Sequence, residues 1–175
     1  MSLAGDYKTT GFIFDSGKSY NYVPAADLTA MLATFPEGET CTIATDQISC
    51  VCPSVPDLDA SFSEITFAVG TAAVQAKLVM KGSSYMTYDA GNSVCLSNFK
   101  SLPELVDENY WLMGLPTYRS FEILHDMATN QMGFKALANS EVGPTTDLYE
   151  AGAAGAGWIS VSTAAVFLGV SSVLY

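Results

Sequence analysis

From Cys41 to Phe134 the chain is a succession of short β-prone runs broken by turn residues. The turns recur about every 8–12 positions, a spacing that leaves room for strands of a sandwich or barrel. In Glu64 to Gly70 the side chains alternate, with Ile65, Phe67 and Val69 on one face. Gly70-Thr71 turns the chain into Val74 to Met80, and Lys81-Gly82-Ser83 turns it again into Tyr85 to Tyr88. Tyr118 to Asp126 and Gln131 to Ala136 read as a closing hairpin around Ala128-Thr129-Asn130. Pro24 to Ala33 is the one convincing helix of this body, with Leu28, Met31 and Leu32 on one face. The expected fold class is therefore all-β with one short helix.

Three parts are expected: a β domain over 1–137, an acidic polar linker over 138–150 and an apolar tail over 151–175. No charge follows Glu150. As a helix rising about 1.5 Å per residue, Trp158 to Tyr175 would cross roughly 27 Å of hydrocarbon. Small residues, a polar spacer and a terminal apolar run form the pattern of a GPI-attachment signal, with Asn139-Ser140 or Ala151-Gly152-Ala153 as attachment residues. A transmembrane helix at the chain end and a buried C-terminal helix are the alternatives. No apolar leader precedes the β domain, which implies the downstream piece of a longer precursor or an upstream start.

Charge narrows the function. Eighteen Asp+Glu against seven Lys+Arg give a net charge of -11, so a phosphate backbone is repelled and no nucleic-acid partner is expected. There is no EF-hand spacing and no phosphate-binding glycine loop, so no cofactor is implied. Cys41, Cys50, Cys52 and Cys95 allow three disulfide pairings. One residue between Cys50 and Cys52 is too few for the usual pair of zinc ligands, so disulfides are preferred and no metal is expected. Disulfides place the chain in the secretory or endomembrane system or at the cell surface, and a vacuole-like or lysosome-like compartment is compatible with the acidity.

Phe12-Ile13-Phe14 runs into Asp15-Ser16-Gly17, and Lys18 and Ser19 follow. Later come Leu112-Met113-Gly114 and the stretch from Tyr118 through His125-Asp126 to Gly133-Phe134. In this order and spacing the chain resembles the C-terminal lobe of the pepsin-like aspartic proteases, roughly from Thr10 to Ala136. Phe62 to Phe67 resembles the segment after that lobe's first cysteine. The resemblance implies a lobe of a closed, bilobal β-barrel fold and an endopeptidase acting on polypeptides. Asp15 would be one of two catalytic aspartates. Two neighbouring carboxyl groups share one proton; the ionised one activates water and the other protonates or polarises the scissile carbonyl.

The same resemblance assigns further roles. Gly17 permits the turn that aims the Asp15 carboxylate, and Ser16 would bond across to the other lobe. Leu112, Met113 and Gly114 would run behind the Asp15 loop, and Cys50 or Cys52 would pair with Cys95. No second Asp-Ser/Thr-Gly follows an apolar strand, so a missing N-terminal lobe, or a second copy, must supply the other aspartate. Two positions depart from the pattern. Lys18 stands where a Ser or Thr hydroxyl is usual, and Leu115 where an Asp is usual. An ammonium beside Asp15 would favour its ionised form, or the long stem would carry it into solvent. A membrane-tethered lobe without activity, binding peptides, is the alternative function. His125, the sole histidine, is expected as a packed strand residue, since no Gly-x-Ser-x-Gly elbow accompanies it. Tyr85, Tyr88, Tyr110 and Tyr118 are expected in the core of strands, and Glu104, Asp107 and Glu108 in a solvated loop.

Overall fold

A computed structural model of the chain describes residues 11–35, 40–70, 75–102, 110–137, 140–144 and 159–162. Strands dominate, as the alternating pattern requires. The largest sheet holds β1 (Gly11–Phe14), β2 (Asn21–Val23), β3 (Cys41–Ala44), β4 (Gln47–Val51), β7 (Met86–Asp89), β8 (Val94–Ser101) and β9 (Tyr110–Met113). Its order is β1-β9-β2-β8-β4-β3, with β7 also paired to β8. A second sheet joins β10 (Phe121–Asp126), β11 (Gln131–Ala136) and β13 (Ile159–Ser162). The third joins β12 (Ser140–Pro144), β6 (Gln75–Met80) and β5 (Ile65–Gly70). The expected closed barrel is not formed among the described residues. The parallel pairs β1–β9 and β2–β8 take strands out of sequence order, and each sheet ends on open edges.

The core lies where the inward faces of the sheets meet. Along β8, Cys95, Ser97, Phe99 and Ser101 point in and their neighbours out. Aromatic rings continue this interior: Phe99 touches Tyr85 and Trp111, Trp111 touches Phe12, and Phe12 touches Phe67 of β5. Phe14 meets Phe134 of β11, with centroids 5.5 Å apart. Helix α1 (Ala25–Leu32) starts after Pro24 and seals one side with Leu28 and Met31 fully buried, while Leu32 is half-buried. Asp27 on the same helix is also buried, because the indole N–H of Trp111 donates to its carboxylate at 2.7 Å.

Three further short helices, α2 (Leu58–Ser61), α3 (Gly82–Tyr85) and α4 (Leu115–Ser120), were not legible as periodic runs. The Asp57 carboxylate accepts the amides of Asp59 and Ala60 and so caps α2. A β-carbon on Gly82 would stand 1.9 Å from the Leu58 carbonyl oxygen, so α3 packs on α2 at a distance only glycine allows. Pro116 opens α4, which takes Tyr118 into a helix rather than into the strand expected there.

The C-terminal expectations change in two places. Ser140–Pro144, read as linker, is β12 and pairs antiparallel with β6. Ile159–Ser162, read as part of an apolar helix, is β13 and pairs antiparallel with β11. Ile159 and Val161 are β-branched, and β11 offers them a strand edge whose polar groups need partners. The rest of the expected tail, and Asn139, Glu104, Asp107 and Glu108, lie outside the described residues. No helix among the described residues is long and apolar enough to cross a membrane.

Two disulfides form, Cys41–Cys50 and Cys52–Cys95. Cys41 and Cys50 are register partners on β3 and β4, joined by a two-residue turn in which Thr45 and Asp46 take positive φ. Cys52–Cys95 ties the end of β4 to β8, and of the two partners implied for Cys95 it selects Cys52.

Candidate functional site

β9 lies between β1 and β2, parallel to the first and antiparallel to the second. The loop from Asp15 to Tyr20 joins β1 to β2, so it must pass over the end of β9. The chain leaving β9 therefore threads against this loop. The Asp15 amide donates to the Met113 carbonyl at 2.9 Å, and the Leu115 amide donates to the Lys18 carbonyl at 2.8 Å. Between these contacts sits Gly114, whose amide donates to the Asn21 side-chain oxygen at 2.8 Å. A β-carbon on Gly114 would fall 2.2 Å from the Tyr20 carbonyl oxygen, so only glycine fits. Met113 and Gly114 thus lie against the loop that carries Asp15, while Leu112 is paired with Ile13 of β1 and Tyr22 of β2.

The loop itself is presented outward. Asp15 is half-buried, whereas Ser16, Gly17, Lys18 and Ser19 are exposed. The Lys18 amide closes a turn on the Asp15 carbonyl at 3.2 Å. The Gly17 amide donates to Asp15 Oδ1 at 2.8 Å, which orients one carboxylate oxygen and, among the described residues, leaves the other without a hydrogen bond. Lys18 forms no ion pair with Asp15 or with any other described carboxylate. The far end of the loop is anchored by Tyr20, whose ring carries the Lys100 ammonium 4.0 Å from its centroid.

Buried polar groups brace this arrangement from below. The Asn21 side-chain oxygen also accepts the Thr117 hydroxyl at 2.9 Å, so one buried amide oxygen holds both Gly114 and the first turn of α4. The Asn21 Nδ2 group is buried without a hydrogen-bond partner. Such a group costs about 1–3 kcal/mol, a strain borne at the centre of the site.

Two residues beside the site were not assigned to it from sequence. Tyr118, on α4, is half-buried, and its hydroxyl lies 3.4 Å from Nε2 of His125 on β10. Burial first, and then the charge of Asp15, push the Tyr118 hydroxyl above the ordinary tyrosine range. Burial holds the His125 imidazole below the ordinary histidine range. Their seven-residue spacing carries no recognisable motif; the signal is the return of Gly114 to the Asp15 loop, which brings α4 with it.

Among the described residues no three His, Cys, Asp or Glu side chains converge as metal ligands. The four cysteines are all consumed in the two disulfides. Chemically, the site offers one oriented, half-buried carboxylate on a rigidly braced and otherwise exposed loop. Comparison with protein-family models and with curated proteins finds no match for this chain.

Proposed function

We propose that the chain supplies one aspartate, Asp15, to an aspartic-type site that hydrolyses peptide bonds. The observation that carries this reading is the bracing of the Asp15 loop by the strand that threads against it, Met113 to Leu115. A carboxylate that activates water must be held still and yet face the substrate, and a braced loop with Ser16 to Ser19 exposed supports that reading. The pattern of motifs that resembles the pepsin-like proteases points the same way. Lys18 is compatible with activity because its ammonium is exposed and makes no ion pair with Asp15.

One carboxylate cannot share a proton with itself, so the working site takes a second aspartate from a complementary lobe or a second copy of the chain. The exposed Ser16 to Ser19 segment is the surface such a partner would meet. Two disulfides support an oxidising, secretory setting.

Peptide hydrolysis between roughly pH 2 and 7, the range of carboxyl titration, tests the proposal. Activity in acid that vanishes in Asp15→Asn is the expected result. A rate rising with the square of chain concentration would assign the second aspartate to a second copy. Binding of a peptide-like inhibitor without turnover would favour an inactive, peptide-binding lobe instead.

A further inference from the structure

Helix α4 begins at the residue after Gly114, so its first turns stand beside the Asp15 loop. The Leu115 amide is bonded to that loop, and the Tyr118 amide is bonded back to the Gly114 carbonyl at 3.3 Å. Tyr118 therefore sits one turn above the braced segment, within reach of the Asp15 charge. From the other side comes β10, on which Phe121, Ile123 and His125 share the inward face. His125 ends that row, half-buried, with Nε2 at 3.4 Å from the Tyr118 hydroxyl.

We propose that Asp15, Tyr118 and His125 form one array in which the Tyr118 hydroxyl donates to the neutral His125 imidazole and turns to the Asp15 carboxylate once the imidazole is protonated. Tyr118 and His125 are then positioning residues, a role that rests on Asp15 being the reacting carboxylate.

The argument is a matter of donor and acceptor count. A tyrosine hydroxyl has one proton to donate, and neutral imidazole has one nitrogen to accept it. Protonated imidazole has no acceptor left, so its Nε2–H donates to the tyrosine oxygen and the hydroxyl proton is released. A nearby carboxylate is the acceptor of greatest strength for it. A hydrogen bond to the charged form resists protonation, so acidification recruits a donor that keeps Asp15 ionised.

The other charged groups near the array are either paired elsewhere or exposed to solvent. Asp126, next to His125, accepts the amides of Ala128 and Thr129 and the Thr129 hydroxyl within the β10–β11 turn. On β11 the residue opposite His125 is the uncharged Met132. Glu122 pairs with Lys135 at the far end of the hairpin. Arg119 of α4 and Lys18 of the loop are exposed.

His125 is the sole histidine, so its ring Cε1–H resonance in NMR is unambiguous. Its titration is to be followed in the full chain and in Asp15→Asn. Removing the Asp15 charge is expected to lower the midpoint by roughly 0.3–0.5 pH unit, and an unchanged midpoint overturns the array. In peptide hydrolysis, Tyr118→Phe is expected to move the acid limb of kcat/KM upward by about 0.5–1 pH unit because Asp15 loses its donor, whereas His125→Phe, which leaves the Tyr118 hydroxyl free to donate, is expected to move it less. A uniform fall in rate with an unmoved limb would mark a merely structural role and overturn the proposal. If the chain cleaves no peptide either alone or together with its complementary lobe, the protease reading fails, while the His125 midpoint still decides whether the array exists.

Discussion

Gly114 and Lys18 approach so closely that a β-carbon on the glycine would stand 2.6 Å from the lysine carbonyl oxygen. The contact is imposed by topology, since the loop from Asp15 to Tyr20 spans the two strands that flank β9. A side chain at position 114 would have to push the loop outward, and Asp15 with it.

Gly114→Ala is accordingly expected to destabilise the chain by about 1–3 kcal/mol, the range for forcing atoms into a filled interior. Gly91→Ala is the control, because its nearest neighbour is the Asp89 side-chain oxygen at 3.3 Å and not backbone. Urea midpoints for the two variants check this, and equal losses would refute the steric account.

The Trp111–Asp27 hydrogen bond joins residues 84 positions apart, both buried. Trp111→Phe keeps most of the ring but removes one hydrogen-bond donor from a buried carboxylate, at an expected cost of about 0.5–1.5 kcal/mol. Adding Asp27→Leu to Trp111→Phe is expected to cost less than the sum of the two single changes, since the carboxylate and this donor then disappear together. Chemical denaturation of the single and double variants measures the coupling; strict additivity would exclude it.

The two disulfides close loops of different length, 9 residues for Cys41–Cys50 and 43 for Cys52–Cys95. Chain entropy then assigns about 2.6 kcal/mol to the first and about 4 kcal/mol to the second. Replacing Cys52 and Cys95 together by Ser is expected to lower Tm more than replacing Cys41 and Cys50 together. The reverse order would show that native packing, not loop closure, governs their contributions.

Tyr85 is fully buried and its hydroxyl donates to the Ser63 carbonyl. Burial, reinforced by the Asp59 charge, raises its ionisation well above the ordinary tyrosine range. The unfolded chain therefore releases this proton first. Its contribution to stability is complete below about pH 10 and is lost as pH rises from there toward the raised folded value. Melting temperatures taken from pH 8 to 11 are expected to fall across the upper end, and less steeply in Tyr85→Phe.

Much of the β framework was legible in the chain because burial on one face writes a period of two into the residues. Ile65, Phe67 and Val69 announce β5, and all three are buried. Helix α1 was legible from Pro24 and its apolar face. Asp15 was legible because its signal is local, an apolar strand followed by small turn residues. Helix α4 was hidden because Tyr118 and Phe121 are strand-prone, and the close of β9 at Gly114 with Pro116 beyond overrides that preference.

The sequence by itself determined that the stretch from Cys41 to Phe134 is built mainly of short strands, that four cysteines would be paired, and that one aspartate would stand at the end of an apolar strand. Only the tertiary structure decided which edge each late strand completes, so that Ser140–Pro144 joins β6 and Ile159–Ser162 joins β11. It also decided that Asn21 would hold Gly114 and Thr117, across 93 and 96 residues, and that Tyr118 would meet His125. The physical reason is one of range. Periodicity and turn chemistry act over a few residues and can be read in place, whereas hydrogen-bond partners across a sheet are chosen by strand order and register, which arise only when the whole core closes.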